Sequence, residues 1–262
     1  MLKPETRNQR PDNRVRVPGR VRGVLARIGE LAAERGLNAY AVGGCVRDWW
    51  LGRLANVDVD VTVEGPGPAP ALAKVGPGIT LARAAAEVLG GSLTAHEQFG
   101  TATLAAPAGF GAGRVDFATC RRETYAKPAA YPRVIAGTLE DDLFRRDFTI
   151  NAMASALHPA RFGALTDPFG GAGDLAARRL RILHDRSFLD DPTRILRGVR
   201  FLARFRLRWE PGTRRRAGEA LRAGALSWLN PGRLQRELDR LLAEPDPVAC
   251  LDELARLLDR SG

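Results

Sequence analysis

Residues 56–64, NVDVDVTVE, alternate carboxylate and valine with a period of two. That period is the mark of a β-strand, whose successive side chains leave on opposite faces. Asp58 and Asp60 then share one face, and Val57, Val59 and Val61 point to a core on the other. The run reads as a buried strand, and two unpaired carboxylates there would cost several kcal/mol. Same-face neighbours have Cα atoms about 6.5–7 Å apart, close enough to converge on one cation. Magnesium suits them: it takes oxygen ligands, keeps waters and shares substrate phosphates. In phosphoryl chemistry with two such ions, the ions sit about 3.5–4 Å apart, and a third carboxylate is expected from a neighbouring strand. Asp116, flanked by Val115 and Phe117 in GRVDFATC, has that context. The plainer alternative is a strand face open to water.

Upstream, Gly43-Gly44 stand between a strand-like run, NAYAV, and a short helical run, CVRDWWLG. Glycines there let a phosphate come close to the backbone at a helix N-terminus. Arg47 adds a charge-assisted contact. An ordinary strand-to-helix turn explains the glycines, but not the glycines, Arg47 and the Asp pair together. Trp49 and Trp50 read as packing residues.

Apolar spacing predicts a helix over residues 21–35, then a Pro/Gly loop over 65–78 and a helix over 79–91. Two or three strands with glycine-rich turns follow over 92–120, and a loop runs through KPAAYPRVIAG. TLEDDLFRRDFTINAMASAL predicts one helix, opened by a Thr138-x-x-Asp141 cap. TDPFGGAGDLAARRLRIL predicts a turn leading to a short strand, and four helices follow near 191–207, 211–223, 231–243 and 246–259. Strands and helices mix in the first two-thirds and helices alone fill the last third. The expected organisation is a disordered basic arm over residues 1–20, an α/β head over 21–180 and a small helical domain over 181–262.

The net charge of +10 is nearly all arginine, the only lysines being Lys3, Lys74 and Lys127. From Arg178 to the end there are 19 arginines against 12 acids. Such a surplus favours a polyanionic partner; solvated helix faces are the bland alternative. Cys45, Cys120 and Cys250 are odd in number and far apart, which speaks against disulfides and zinc and for buried free thiols. No apolar run reaches the length of a membrane span, and the N-terminus lacks a secretory apolar segment. The expectation is a cytoplasmic protein with no membrane partner.

Five segments, in order, carry a resemblance: GGCVRDWWLGRLANVDVDVTV, HEQFGTATL, VDFATCRRETY, EDDLFRRDFTINAMA and DDPTRILRGVRFLARF. They resemble the motifs of class II tRNA nucleotidyltransferases and bacterial poly(A) polymerases, over residues 24–250. The resemblance implies an α/β (α+β) nucleotidyltransferase head of the polymerase-β type, a mixed sheet with helices, followed by a small all-α neck. It implies metal ligation by Asp58, Asp60 and Asp116, and attack of an RNA 3′ hydroxyl on the α-phosphate of CTP or ATP. RRDFTINAMA is similar to the family segment that grips sugar and phosphates, which makes Arg146, Asp147 and Asn151 nucleotide contacts; a surface ion pair on a helix is the alternative. DDPTR looks like the family's base-reading motif, carried by Asp191 and Arg194. An acceptor beside a donor suits the Watson–Crick edge of cytosine and adenine, whereas uracil and guanine would leave buried polar groups unpaired. The alternative for Asp191 is a helix N-cap followed by Pro192. Arg197, Arg200 and Arg204 read as phosphate contacts along the same helix, a solvated face being the alternative for Arg204.

Two features depart from the family pattern. Its members continue past the neck into regions that hold tRNA, so here the arm and neck suffice, or a partner subunit supplies the rest, or the chain is truncated. The loop AKPAAYPRVIAG lacks an acidic residue, which points to C addition alone. Three readings remain: completion of tRNA 3′ ends, poly(A) addition to other RNAs, and a catalytically silent RNA-binding homologue.

Overall fold

A computed structural model describes residues 13–54, 58–67 and 75–259. Val57 and residues 68–74 of the Pro/Gly loop lie outside the described residues. Two compact units result. The first takes residues 1–122, 134–144 and 151–168, and the second 123–133, 145–150 and 169–262.

The first unit is built on a seven-stranded sheet ordered β3-β4-β5-β2-β1-β8-β9. Its strands are β1 (Asn38–Val42), β2 (Val59–Glu64), β3 (Ser92–His96), β4 (Thr101–Ala105), β5 (Arg114–Thr119), β8 (Ala154–Ala156) and β9 (Leu165–Thr166). β2 and β5 run parallel, and the other neighbours are antiparallel. Helices α1 (Gly19–Ala33) and α3 (Pro77–Leu89) pack together, and α3 lies against β5. The valine face of the alternating run is fully inside: Val59, Val61 and Val63 are buried, as are Val115 and Phe117 beside them. Each such side chain contributes roughly 1.5–3 kcal/mol on burial. Helix α1 approaches the chain after β8 so closely that a Cβ on Gly29 would lie 1.8 Å from the Leu157 carbonyl oxygen.

Three expectations are corrected in this unit. The acids of the alternating run are not buried, since Asp58 and Asp60 are exposed and Asp58 precedes the strand. The arm does not extend to residue 20. Val15 and Val17 are buried, Arg14 bridges to Ala164, and α1 starts at Gly19. The single helix over 138–157 is three pieces: α4 (Leu139–Phe144), one 3-10 turn (Thr149–Asn151) and β8. Ala154, Ser155 and Ala156 are good or neutral helix formers, but pairing with β1 inside the sheet overrides that preference. The cap read from Thr138 and Asp141 is present: Thr138 N donates to Asp141 Oδ2 at 2.9 Å, and Asp141 N to Thr138 Oγ1 at 3.2 Å.

The loop expected after Arg121 is present over residues 125–132, but its flanks pair as a two-stranded sheet of β6 (Arg121–Thr124) and β7 (Arg133–Ala136). All three cysteines are buried and outside any disulfide, and Trp49 and Trp50 are packed inside as read.

The second unit is helical, with α5 (Gly171–Ala176), α6 (Ser187–Asp190), α7 (Thr193–Phe205), α8 (Pro211–Arg222), α9 (Pro231–Leu242) and α10 (Pro247–Asp259). α7 packs on α9 and α10. Proline starts α8, α9 and α10, and Glu210 and Asn230 accept hydrogen bonds from the first-turn amides of α8 and α9. This is the arrangement that makes helix starts legible. α5 was missed because its glycines are poor helix formers. Its buried Asp174 is held by Arg181 at 2.8 Å and Arg179 at 3.1 Å. Short strands β10 (Arg179–Leu180) and β11 (Arg208–Trp209) pair in parallel. No described helix is long and apolar enough to cross a membrane.

Candidate active site

The parallel register of β2 and β5 sets Asp60 opposite Asp116. Adjacent strands lie about 4.8 Å apart, and residues in register leave the same face. Asp58 has the same parity as Asp60 at the start of that face. Arg114 lies between the acids, with Nε 3.1 Å from Asp116 Oδ2 and Nη2 3.7 Å from Asp58 Oδ2. Thr103, opposite Asp116 on β4, donates its hydroxyl to Asp116 Oδ1 at 2.5 Å. The three candidate ligands are thus gathered at one end of the sheet, with a guanidinium bridging two of them. Among the described residues, no three acidic, histidine or cysteine side chains already stand close enough together to hold a metal ion. The donor set, oxygen throughout and open to solvent, fits a hard divalent cation. Arg114 adds positive charge beside Asp58 and Asp116. Arg114 and Thr103 were not singled out in the sequence; alternation in GRVDFATC puts Arg114 on the face of Asp116 and was the available signal.

Gly43 caps α2 (Gly44–Trp50) with φ +79° and ψ −133°, a conformation costly for any residue with a Cβ. Its N–H donates to the Met153 carbonyl at 3.0 Å. The turn therefore has a structural reason for this glycine. α2 has seven residues, and Arg47 on it is buried. Arg47 donates through Nε to Asp48 at 3.0 Å and through Nη1 to Asn151 Oδ1 at 2.5 Å. Two residues read separately as nucleotide contacts are thus hydrogen-bonded to each other within the sheet unit.

The remaining candidates belong to the helical unit. Asp147 is buried and accepts from Arg197 Nε at 2.9 Å and Nη2 at 2.6 Å, both at Oδ2. The Asp147 charge pushes the Arg197 pKa up against the opposing effect of burial. Asp147 is therefore not part of a surface ion pair on a helix. Arg146 lies beside it, half-buried. Arg194 is buried, donating to Ser187 Oγ at 2.6 Å and to the Arg145 carbonyl at 2.7 Å.

Asp191 is not on the helix with Arg194, because α7 begins at Thr193. It lies in the link after α6, where Oδ1 accepts from Thr193 N at 3.1 Å and Thr193 Oγ1 at 2.6 Å. The N-cap of α7 is Pro192 and not Asp191, but the Asp191 carboxylate still satisfies the first-turn N–H of Thr193 from one position earlier than read. The same oxygen accepts from Arg233 Nη2 at 2.9 Å, and the Arg233 guanidinium lies over the Tyr131 ring, 5.7 Å from its centroid. Arg233 and Tyr131 went unread, because neither stands near DDPTR in the chain.

Arg200, expected to contact phosphate, has a different use. It is buried, donates to Glu244 Oε1 at 2.9 Å and lies 3.4 Å from Glu237 Oε2. Arg204 donates to Glu244 Oε2 at 2.9 Å. Burial raises the Glu244 pKa, but Arg204 and Arg200 outweigh it and hold the carboxyl below its ordinary value. Two carboxylates already neutralise Arg200, so it fastens α7 to α9 and the turn beyond it.

Residues 39–181 match the model of the poly(A) polymerase head domain. The chain is similar to an A-adding tRNA nucleotidyltransferase of Halalkalibacterium halodurans, 41% identical over 236 residues, covering 89% of this chain and 52% of that protein. It is 43% identical over 167 residues to a CC-adding tRNA nucleotidyltransferase of Deinococcus radiodurans, covering 64% of this chain and 42% of that one. An apo structure of a CCA-adding enzyme superposes with a TM-score of 0.83 at 39% identity, over 92% of this chain and 54% of the other. The Thermotoga maritima CCA-adding enzyme complexed with tRNA gives 0.76 at 38%, over 92% and 52%. The chain thus spans about half the length of the first relative it matches.

Proposed function

The chain belongs to the poly(A) polymerase head-domain family, and from that premise we propose that it adds C, A or both to the 3′ end of tRNA, with release of pyrophosphate. The observation that carries this reading is the in-register pairing of Asp60 with Asp116, with Asp58 on the same face. Asp58, Asp60 and Asp116 are the residues that would hold Mg²⁺. When bound, the ion would supply charge neutralisation for the triphosphate and the attacking RNA hydroxyl. Thr103 orients Asp116 through its hydroxyl. Arg114 balances the acids until ligands arrive.

Nucleotide choice belongs to the helical unit. Asp191 accepts the exocyclic amino group of cytosine or adenine, and Arg194 donates to the adjacent ring nitrogen. Arg233 fixes the Asp191 carboxylate, and Arg197 holds Asp147. Arg47 and Asn151 form a preset polar pair beside the Gly43-Gly44 turn, suited to triphosphate and sugar. Arg146 completes the nucleotide contacts. A tRNA-end substrate makes the cytoplasm the working compartment. The relatives include both A-adding and CC-adding proteins, so the nucleotide specificity follows from neither name.

The test is extension of tRNA lacking its terminal CCA with each nucleoside triphosphate singly and in pairs. Two C residues and a stop, or a single A on a CC end, supports partial addition; all three residues supports the whole reaction. The family model's name favours one second reading, a poly(A) polymerase. A long A ladder on unrelated RNA would establish it. RNA binding with no incorporation of any nucleotide would overturn both.

A further inference from the structure

Two adjoining clefts of about 270 and 530 Å³ open on the helical unit and share Trp209 and Arg214. Arg208, Arg214, Arg215, Arg222 and Arg256 line them, against one carboxylate, Glu253. None of these residues enters the site described above. Arg256 is paired with Glu253 at 3.0 Å and Arg215 with Glu219 at 3.8 Å. Among the described residues, Arg208, Arg214 and Arg222 have no acid within ion-pair distance. Arg214, Gly218 and Arg222 follow one another at four-residue spacing along α8, so they share a helix face. The two arginines stand about 12 Å apart along the axis, roughly three to four nucleotide steps at a duplex rise of about 3.4 Å. Gly218 carries no side chain, which leaves the wall between them open.

We propose that this cleft binds the phosphodiester backbone of the substrate RNA, as a site separate from the nucleotide-reading residues. The proposal rests on the RNA reading above and deepens it. Clustered like charges repel each other across a cavity, and a polyanion removes that repulsion. A planar guanidinium gives phosphate two parallel hydrogen bonds. A repeat of such groups along one helix face suits a repeating singly charged chain better than one compact anion. Each phosphate neutralised releases counterions and so adds about 0.7–0.9 to the logarithmic salt slope of binding.

The experiment is fluorescence anisotropy of labelled tRNA lacking CCA with the full chain, across a KCl series. The Arg208→Gln/Arg214→Gln/Arg222→Gln variant is expected to weaken binding at least tenfold and to flatten the salt slope by about 2–3, one step of about 0.7–0.9 per lost contact. The triple Lys variant should keep most of the slope. Gly218→Glu, a change that favours the helix, should weaken binding by putting a carboxylate in the wall. Maximal incorporation at saturating RNA should be unchanged, with KM for RNA raised. An unchanged Kd and slope in a folded triple Gln variant overturns the proposal, as does a loss confined to KM for the nucleotide. RNA binding is read without catalysis. A wild-type chain that binds RNA through the cleft yet extends nothing would therefore sink the proposed function while leaving this site standing.

Discussion

In the sheet unit, the side chains of Asp58 and Asp116 are 52% and 33% exposed, and a surface arginine is shared between them. In the helical unit, Asp147 and Glu244 are 8% and 2% exposed, each gripped by a guanidinium at hydrogen-bond distance. Exposed pairs contribute little to stability, about 0–1 kcal/mol, and are easily displaced. A buried pair is hard to break, because removing one partner strands a charge in low dielectric. Under the function proposed above, the difference separates two tasks. The wet acids are the ones that would take a cation, and the buried pairs at Asp147 and Glu244 hold α7 in place, so a mismatched base edge at Asp191 and Arg194 would meet groups that do not rearrange to suit it.

The largest effect expected from this contrast is on chemistry. Asp58→Ala or Asp60→Ala should lower nucleotide incorporation by about a thousandfold or more, with RNA affinity and melting temperature nearly unchanged. Wild-type turnover in either would remove these acids from the metal assignment. Next comes stability in the helical unit. Arg197→Leu leaves Asp147 buried without its main partner and should cost about 3–5 kcal/mol in denaturant unfolding. Adding Asp147→Asn should return part of that loss. If the single variant costs less than about 1 kcal/mol, the buried side of the contrast is wrong.

Smaller again is the effect on selection. Arg233→Gln should loosen Asp191 and reduce preference for CTP and ATP over UTP and GTP by about tenfold, or about 1.4 kcal/mol. Asp191→Ala should blur the choice further and lose about 1 kcal/mol of cap stability. Unchanged selectivity with a lower melting temperature would reduce Asp191 to its capping role. The smallest effect is on pH dependence. The folded Glu244 pKa is held below its ordinary value of 4.5, so its contribution is fully present above that pH. It is lost as pH falls through the folded pKa. Urea midpoints should therefore fall less steeply below pH 4.5 in Glu244→Gln than in wild type, once their difference at neutral pH is subtracted.

Much of the helical unit was legible because its starts are written locally. Proline at the first turns of α8, α9 and α10, with Glu210, Asn230 and Asp246 just before, marks helix entry without reference to distant residues. The valine face of β2 was legible for the same reason. Helix propensity misled at Ala154–Ala156, where a three-residue strand is defined by its partner β1 and not by its own composition. In the candidate site, the acids could be named from alternation, but Arg114, Thr103 and Arg233 acquire their roles from neighbours across strands or helices. Arg200 was misread because a helical arginine looks the same whether it faces phosphate or a buried glutamate.

By itself the sequence determined the local periods, the turns that glycine and proline impose, and the chemical character of the candidate residues. These depend on backbone sterics and on side chains a few positions apart. Only the tertiary structure decided that Asp60 faces Asp116, that Arg47 bonds Asn151 and that Asp191 is held by Arg233. Each of those pairs joins distant parts of the chain, and such contacts form only when burial of a whole unit offsets the entropy of closing the loop between them.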